Sequence, residues 1–175
     1  MANTYTLISS NVLSSSAASV TFSAIPSTYT DLVVRLTCRS DRTGVTNDYL
    51  SYTLNGVSTG YSETQLYAGG TSVGTWNYSS ATFLLANNMA SAGNTSNTFS
   101  TYEIYIPNYA GSTQKPMSVY GVTENNTAAD NYMEIDAMLS NITSAITSIT
   151  LDTYPTYGTN FVSGSSFYLY GIKNS

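Results

Sequence analysis

An all-β fold, with two antiparallel sheets packed as a β-sandwich and a jelly-roll-like connection, is the class this sequence predicts, on three observations. Apolar and polar residues alternate with period two in run after run, the pattern of half-buried strands. No window of eleven or more residues carries an apolar stripe at i, i+3, i+4, so no amphipathic helix is expected. Turn-forming Gly, Pro and Asn recur between the runs at the short spacing of a sandwich or barrel.

In chain order, a short run at residues 6–8 is followed by 19–25, with Val20 and Phe22 inward. Residues 31–39 read most clearly: Leu32, Val34, Leu36 and Cys38 share one side, and Val33, Arg35, Thr37 and Arg39 the other. Residues 49–54 turn Leu50, Tyr52 and Leu54 inward, and shorter runs follow at 63–67 and 82–85. Residues 102–106 bury Tyr102, Ile104 and Ile106, and a short run lies at 117–122. Residues 133–139 are expected to bury Met133, Ile135, Ala137 and Leu139, which leaves Glu134 and Asp136 on the solvent face. Runs at 146–151 and 166–172 complete the set. Pro26, Asn55-Gly56, Gly69-Gly70, Asn87-Asn88, Pro107-Asn108, Asn125-Asn126 and Gly164 punctuate the runs. Residues 87–97, weakly patterned, are expected to form an exposed loop. With no internal repeat or Pro-rich linker, residues 1–175 are expected to form a single β-sandwich domain, with residues 1–8 as an N-terminal arm able to pair with a neighbouring chain.

Composition narrows the chemistry. The chain has no histidine, one cysteine and only 9% charged residues. Without an imidazole, one subunit cannot build Ser-His-Asp, Cys-His or His-metal sites, so no enzyme, cofactor or metal is expected. Cys38, in an apolar run, reads as a small buried hydrophobe. A net charge of −5 and only five Lys and Arg argue against a nucleic-acid partner, since no phosphate track could be neutralised. No stretch approaches the ~20 apolar residues of a membrane span, and the start, Met-Ala-Asn-Thr-Tyr-Thr, lacks a basic and apolar leader, so a soluble protein made without a signal peptide is expected. With no histidine, little titration is expected between about pH 5.5 and 8.

Four constellations bear on function. Gly56-Val57-Ser58-Thr59-Gly60 matches the nucleophile-elbow pattern, but the elbow needs a strand-to-helix turn and a histidine base. Glu134 and Asp136, at i and i+2, read as solvation and edge protection; a cation site and a glycosidase pair are the alternatives. The aromatics Tyr61, Tyr67, Trp76 and Tyr78, interspersed with glycines, suit core closure, a subunit or capsid interface, or sugar stacking. Arg35, Arg39 and Arg42 concentrate three of the five cations and could meet an acidic partner surface, and Tyr5 and Leu7 of the arm are further candidate contacts; pairing of the arginines with Asp31, Asp41 and Asp48 within the chain competes with that reading.

Several words of sequence, in order along the chain, resemble a group of small bacteriophage virion structural proteins, cyanophage-like members among them. They are Tyr5-Thr6-Leu7-Ile8-Ser9-Ser10, then Ser19-Val20-Thr21-Phe22-Ser23-Ala24-Ile25-Pro26 with Thr28-Tyr29-Thr30-Asp31-Leu32-Val33, then Ile106-Pro107-Asn108-Tyr109-Ala110. Ile146-Thr147-Ser148-Ile149-Thr150-Leu151 and the stretch from Phe161 through Tyr168 and Tyr170 to Ile172 follow. The resemblance implies a jelly-roll-like virion protein, commonly a homotrimer, assembled in the host cytoplasm onto the capsid surface or into a fibre, with no catalytic motif to carry over. The expected function is capsid decoration or cement, binding the major capsid protein. The alternative is a tail-fibre or receptor-binding module that recognises a host surface glycan through the aromatics near Tyr67 and Trp76.

Overall fold

The computed structural model describes residues 4–123, 125–126, 131–157 and 159–173. The strands are β1 (Tyr5–Val12), β2 (Ser19–Phe22), β3 (Asp31–Cys38), β4 (Asn47–Leu54), β5 (Tyr61–Gly69), β6 (Ser72–Ala81), β7 (Leu84–Ala90), β8 (Ser100–Ile106), β9 (Lys115–Thr123), β10 (Tyr132–Ser140), β11 (Ile149–Thr153) and β12 (Ser166–Ile172). They pair antiparallel in an eight-stranded sheet, β1-β12-β3-β8-β9-β10-β5-β6, and a four-stranded sheet, β2-β11-β4-β7. The only helical element among the described residues is a 3₁₀ turn at Pro155–Tyr157. The chain is all-β and built as a two-sheet sandwich; the strands divide eight and four, whereas a jelly roll has eight strands in two Greek keys.

Between the sheets lies a core whose inward alternation matches the sequence pattern on most strands. Val20 and Phe22, Leu32, Val34 and Leu36, Leu50, Tyr52 and Leu54, Tyr102, Ile104 and Ile106, and Phe167 with Leu169 are all buried. Phe161 and Phe167 meet edge to face at 5.0 Å. Cys38 is fully buried, and burial pushes its thiol far above the ordinary range.

Five features depart from the sequence reading or add to it. Strand β10 is turned over: Glu134, Asp136 and Met138 face inward, while Met133, Ile135, Ala137 and Leu139 face out. Residues opposite one another across a ladder share a face, and β10 lies against β9 with Asp136 opposite Val119 and Met138 opposite Met117. Val119 and Met117 sit in the core, and their register carries the acids inward with them. Room comes from Gly121, where a Cβ would stand 2.4 Å from the Tyr102 ring and 2.9 Å from Glu134.

The second change is that residues 5–8 of the expected arm belong to β1, an edge strand paired with β12 of the same sheet; residues 1–3 lie outside the described residues. Third, residues 87–90 continue β7 as strand, and only 91–99 form the loop. Fourth, β6 is a full strand, although its glycine and mixed polarity hid it. Fifth, Asn55-Gly56 makes a tight turn, with positive φ at both residues and Val57 N–H donating to Leu54 O at 3.0 Å. This turn does not close a hairpin: β4 and β5 belong to different sheets, and the Asn55 side chain ties the corner to Ala145 O and to the Thr147 and Ser148 amides.

Candidate functional site

The β5–β6 hairpin continues the large sheet at its end, and it presents two unlike faces. On its outer face, with β9 and β10, no position carries a charge. Cross-strand rows run Tyr120, Ile135, Leu66, Thr75 and Val122, Met133, Ala68, Val73. These aliphatic side chains are in water: Ile135 and Leu66 are each 49% exposed and Val73 is 73% exposed. Monomeric proteins rarely leave a contiguous apolar patch of this kind uncovered.

On the inner face, the hairpin and β7 bound a cleft of about 280 Å³ lined by Tyr49, Gln65, Tyr67, Trp76, Tyr78, Asn87, Asn88 and Tyr132. Trp76 and Tyr78, two residues apart on β6, stand on one face with their rings parallel to within 3° and 5.8 Å between centroids. Glycines seat the other rings. A Cβ at Gly74 would lie 2.5 Å from the Tyr67 ring, and one at Gly69 would lie 2.2 Å from Tyr132. Tyr49 leans on Tyr154 and Tyr157, at 5.4 and 6.1 Å.

Behind the cleft the interior turns polar. Asn87 Nδ2 donates to Gln65 Oε1, and Gln65 Nε2 donates to Glu134 Oε2 at 2.9 Å. Leu85 N–H donates to Glu63 Oε2 at 2.9 Å. Oε1 of Glu63, Oε1 of Glu134 and both oxygens of Asp136 make no hydrogen bond of good geometry; Gln65 faces Asp136, and the Asn88 side chain and the Asn87 backbone face Glu134. Burial pushes Glu63 up to about 7 and Asp136 up to about 7, and it pushes Glu134 well above the carboxylate range, with the Asp136 charge adding to the effect. The expectation of little titration near neutrality therefore gives way, because two of these acids are poised near pH 7. Glu134 and Asp136, 2% and 1% exposed, are not a solvated pair and do not line the cleft. No group of three or more acid or cysteine side chains among the described residues is placed to hold a metal ion.

Of the four aromatics singled out in the sequence, Tyr67, Trp76 and Tyr78 come together in this cleft. Tyr61 does not: it is buried in the core, donating its hydroxyl hydrogen to Val57 O at 2.9 Å and accepting from Leu54 N–H.

The three arginines separate. Arg35 lies on the outer face, paired with Glu103 at 2.7 Å and 5.6 Å from the Tyr5 ring. Leu7 is exposed on β1 opposite Tyr170. Arg39 does not share that face. The chain leaves β3 after Cys38, and the Arg39 guanidinium turns inward to donate to Asn94 O, Thr95 O and Thr98 O at 3.0, 2.6 and 2.8 Å. Arg42 pairs with Asp48 at 3.4 Å and covers the Tyr157 ring at 3.5 Å. Pairing within the chain thus holds for Arg42, while Asp31 accepts from Tyr105 and Asn108, and Asp41 from Asn160.

Sequence reasoning missed Gln65, Asn87, Asn88, Tyr49 and Tyr132 in the cleft, and Leu66, Val73, Tyr120 and Val122 on the outer face. The available signal was Gly69 and Gly74, each of which leaves the space that a tyrosine ring takes. No protein-family model matches the chain, and no curated protein matches it.

Proposed function

We propose that this chain is a phage virion structural protein of the decoration or cement type, which docks on the major capsid protein through the outer face of β9, β10, β5 and β6. One observation carries the reading: that face is apolar, uncharged and exposed across neighbouring strands. Such a surface supports docking by burial, worth roughly 25 cal/mol per Å² before association costs. It needs no reaction chemistry, and a protein that binds the assembled shell stabilises that state by mass action. The sequence words shared with small virion proteins support the same reading. The purified chain, mixed with expanded capsids, is expected to bind in a simple ratio to the major capsid protein and to raise the temperature at which the shells break. Ile135→Asp is expected to abolish binding while the protein stays folded. Absence of binding by the parent chain would refute the proposal. So would loss of self-association in Ile135→Asp with capsid binding intact, because the face would then join copies of this chain.

A further inference from the structure

We infer that the cleft between the β5–β6 hairpin and β7 binds a neutral saccharide. This inference is independent of what the outer face docks on, because the cleft opens on the opposite side of the hairpin. The Trp76 and Tyr78 rings stack, parallel to within 3° with 5.8 Å between centroids, and the partly exposed pair makes one wall of the cleft apolar. A pyranose ring presents a matching apolar face of C–H groups, and aromatic side chains offer large rigid contact area at low entropic cost.

Facing the pair are side-chain amides. Asn87 spends an amide hydrogen on Gln65 and keeps its carbonyl oxygen, and Asn88 stands beside it on the cleft wall with φ of 68° and its side chain turned partly to Glu134. An amide offers two donors and an acceptor, the complement of neighbouring sugar hydroxyls. The buried chain from Asn87 through Gln65 to Glu134 holds Asn87 in place, as a binding site built for a defined pose requires. A volume of about 280 Å³ lies at the small end of ligand sites, ~300–1,000 Å³, and suits a terminal mono- or disaccharide rather than a long chain.

Charge selects the class. No lysine or arginine lines the cleft, and Glu63, Glu134 and Asp136 lie behind it. With no cation on its walls, the cleft offers no charge partner to sialylated, sulfated or uronic sugars. A quaternary ammonium would suit an acidic, aromatic site as well, but it is gripped by rings set around it; here the two most exposed rings are parallel on one wall.

Trp76 is the chain's single tryptophan, so its emission reports directly on the site. The intact protein is screened on an array of neutral, sialylated and sulfated glycans, and the strongest neutral binders are titrated by tryptophan fluorescence, with choline in parallel. Saturable binding confined to neutral glycans, with a shift of Trp76 emission, is expected. Tyr78→Ala is expected to weaken it at least tenfold, and Trp76→Ala to remove the array signal, with Trp76→Phe restoring part of it. Leu66→Ser, on the opposite face of the hairpin, is the control and leaves it unchanged. Melting curves show that each variant is folded, and both rings are far enough exposed that removing them leaves the core intact. The inference is overturned if no neutral glycan binds, if charged glycans bind as well, if choline alone shifts the emission, or if Trp76→Ala binds like the parent.

Discussion

The stretch of the large sheet formed by β12, β3 and β8 and the stretch formed by β10, β5 and β6 obey opposite rules. In the first, Val34, Leu36, Ile104 and Leu169 face the core while Arg35 and Glu103 face water. In the second, Glu63, Gln65, Glu134 and Asp136 face inward while Leu66, Ile135 and Met133 face out. Burial of apolar surface is the dominant stabilising term in a fold of this size, so the first stretch supplies stability and the second draws on it. What the second stretch retains in return is an exposed apolar outer face and an inner face with polar groups beside a cleft. Sites that break local rules are where function is expected.

The sharpest way to test the contrast is one substitution made in both stretches. Val34→Asp places a charge at a fully buried position with no partner and is expected to cost about 4 kcal/mol or more, enough to unfold the chain. Ile135→Asp is expected to cost about 1 kcal/mol, the loss of strand propensity, and to improve solubility. Urea titration of both variants decides: equal losses would mean that the outer face of β10 is covered within the folded chain itself.

Next in size is pH. In the unfolded chain Glu63 and Asp136 titrate near ~4, whereas in the fold both are pushed up to about 7. Between those values the folded chain holds protons that the unfolded chain has released. Their stabilising contribution is therefore whole below about pH 4, declines as pH rises, and is lost above about pH 7. A tenfold difference in proton affinity between the folded and unfolded chain is worth about 1.4 kcal/mol, so denaturant midpoints are expected to fall measurably from pH 5 to pH 8. Asp136→Val, which replaces two unpartnered oxygens with a side chain matching Val119 opposite, is expected to stabilise at pH 8 and to flatten the profile. A profile unchanged by Asp136→Val would place the titration elsewhere.

These two stretches also explain what could and could not be read beforehand. Strand periods were legible because alternation is local: β3, β4 and β8 turn the expected residues inward. The phase of β10 was not, because a period of two is satisfied equally by either face, and the choice is made by pairing with β9, a contact between strands that no window of sequence contains. On β10, whose Met133, Ile135 and Leu139 face water, the rule that apolar residues face in gives the wrong side. Trp76 and Tyr78 were legible as members of an aromatic cluster, but their amide counterparts on β7 come from across the sandwich. Residues 87–90 looked like loop for a related reason: Asn87 and Asn88 are poor strand formers, placed there by the cleft's needs and by Tyr102, whose hydroxyl donates to Asn87 O at 3.0 Å.

The smallest contrast is between two arginines four residues apart. Arg35 and Glu103 are 54% and 42% exposed, and exposed pairs are worth ~0–1 kcal/mol. Arg35→Ala is therefore expected to leave stability within about 0.5 kcal/mol, with what effect there is fading in salt. Arg39 holds three carbonyls of the 91–99 loop from a position 7% exposed, and burial lowers its pKa. Its truncation leaves those acceptors unpaired, and Arg39→Ala is expected to cost about 2–3 kcal/mol, since hydrogen bonds to charged groups contribute ~1.5–3 kcal/mol. Hydrogen exchange locates the loss: amides of residues 94–98 are expected to open faster in Arg39→Ala while those of β12 stay protected. If both regions exchange faster together, Arg39 supports the sandwich as a whole, and the loop is part of the cooperative core that β3 and β12 define.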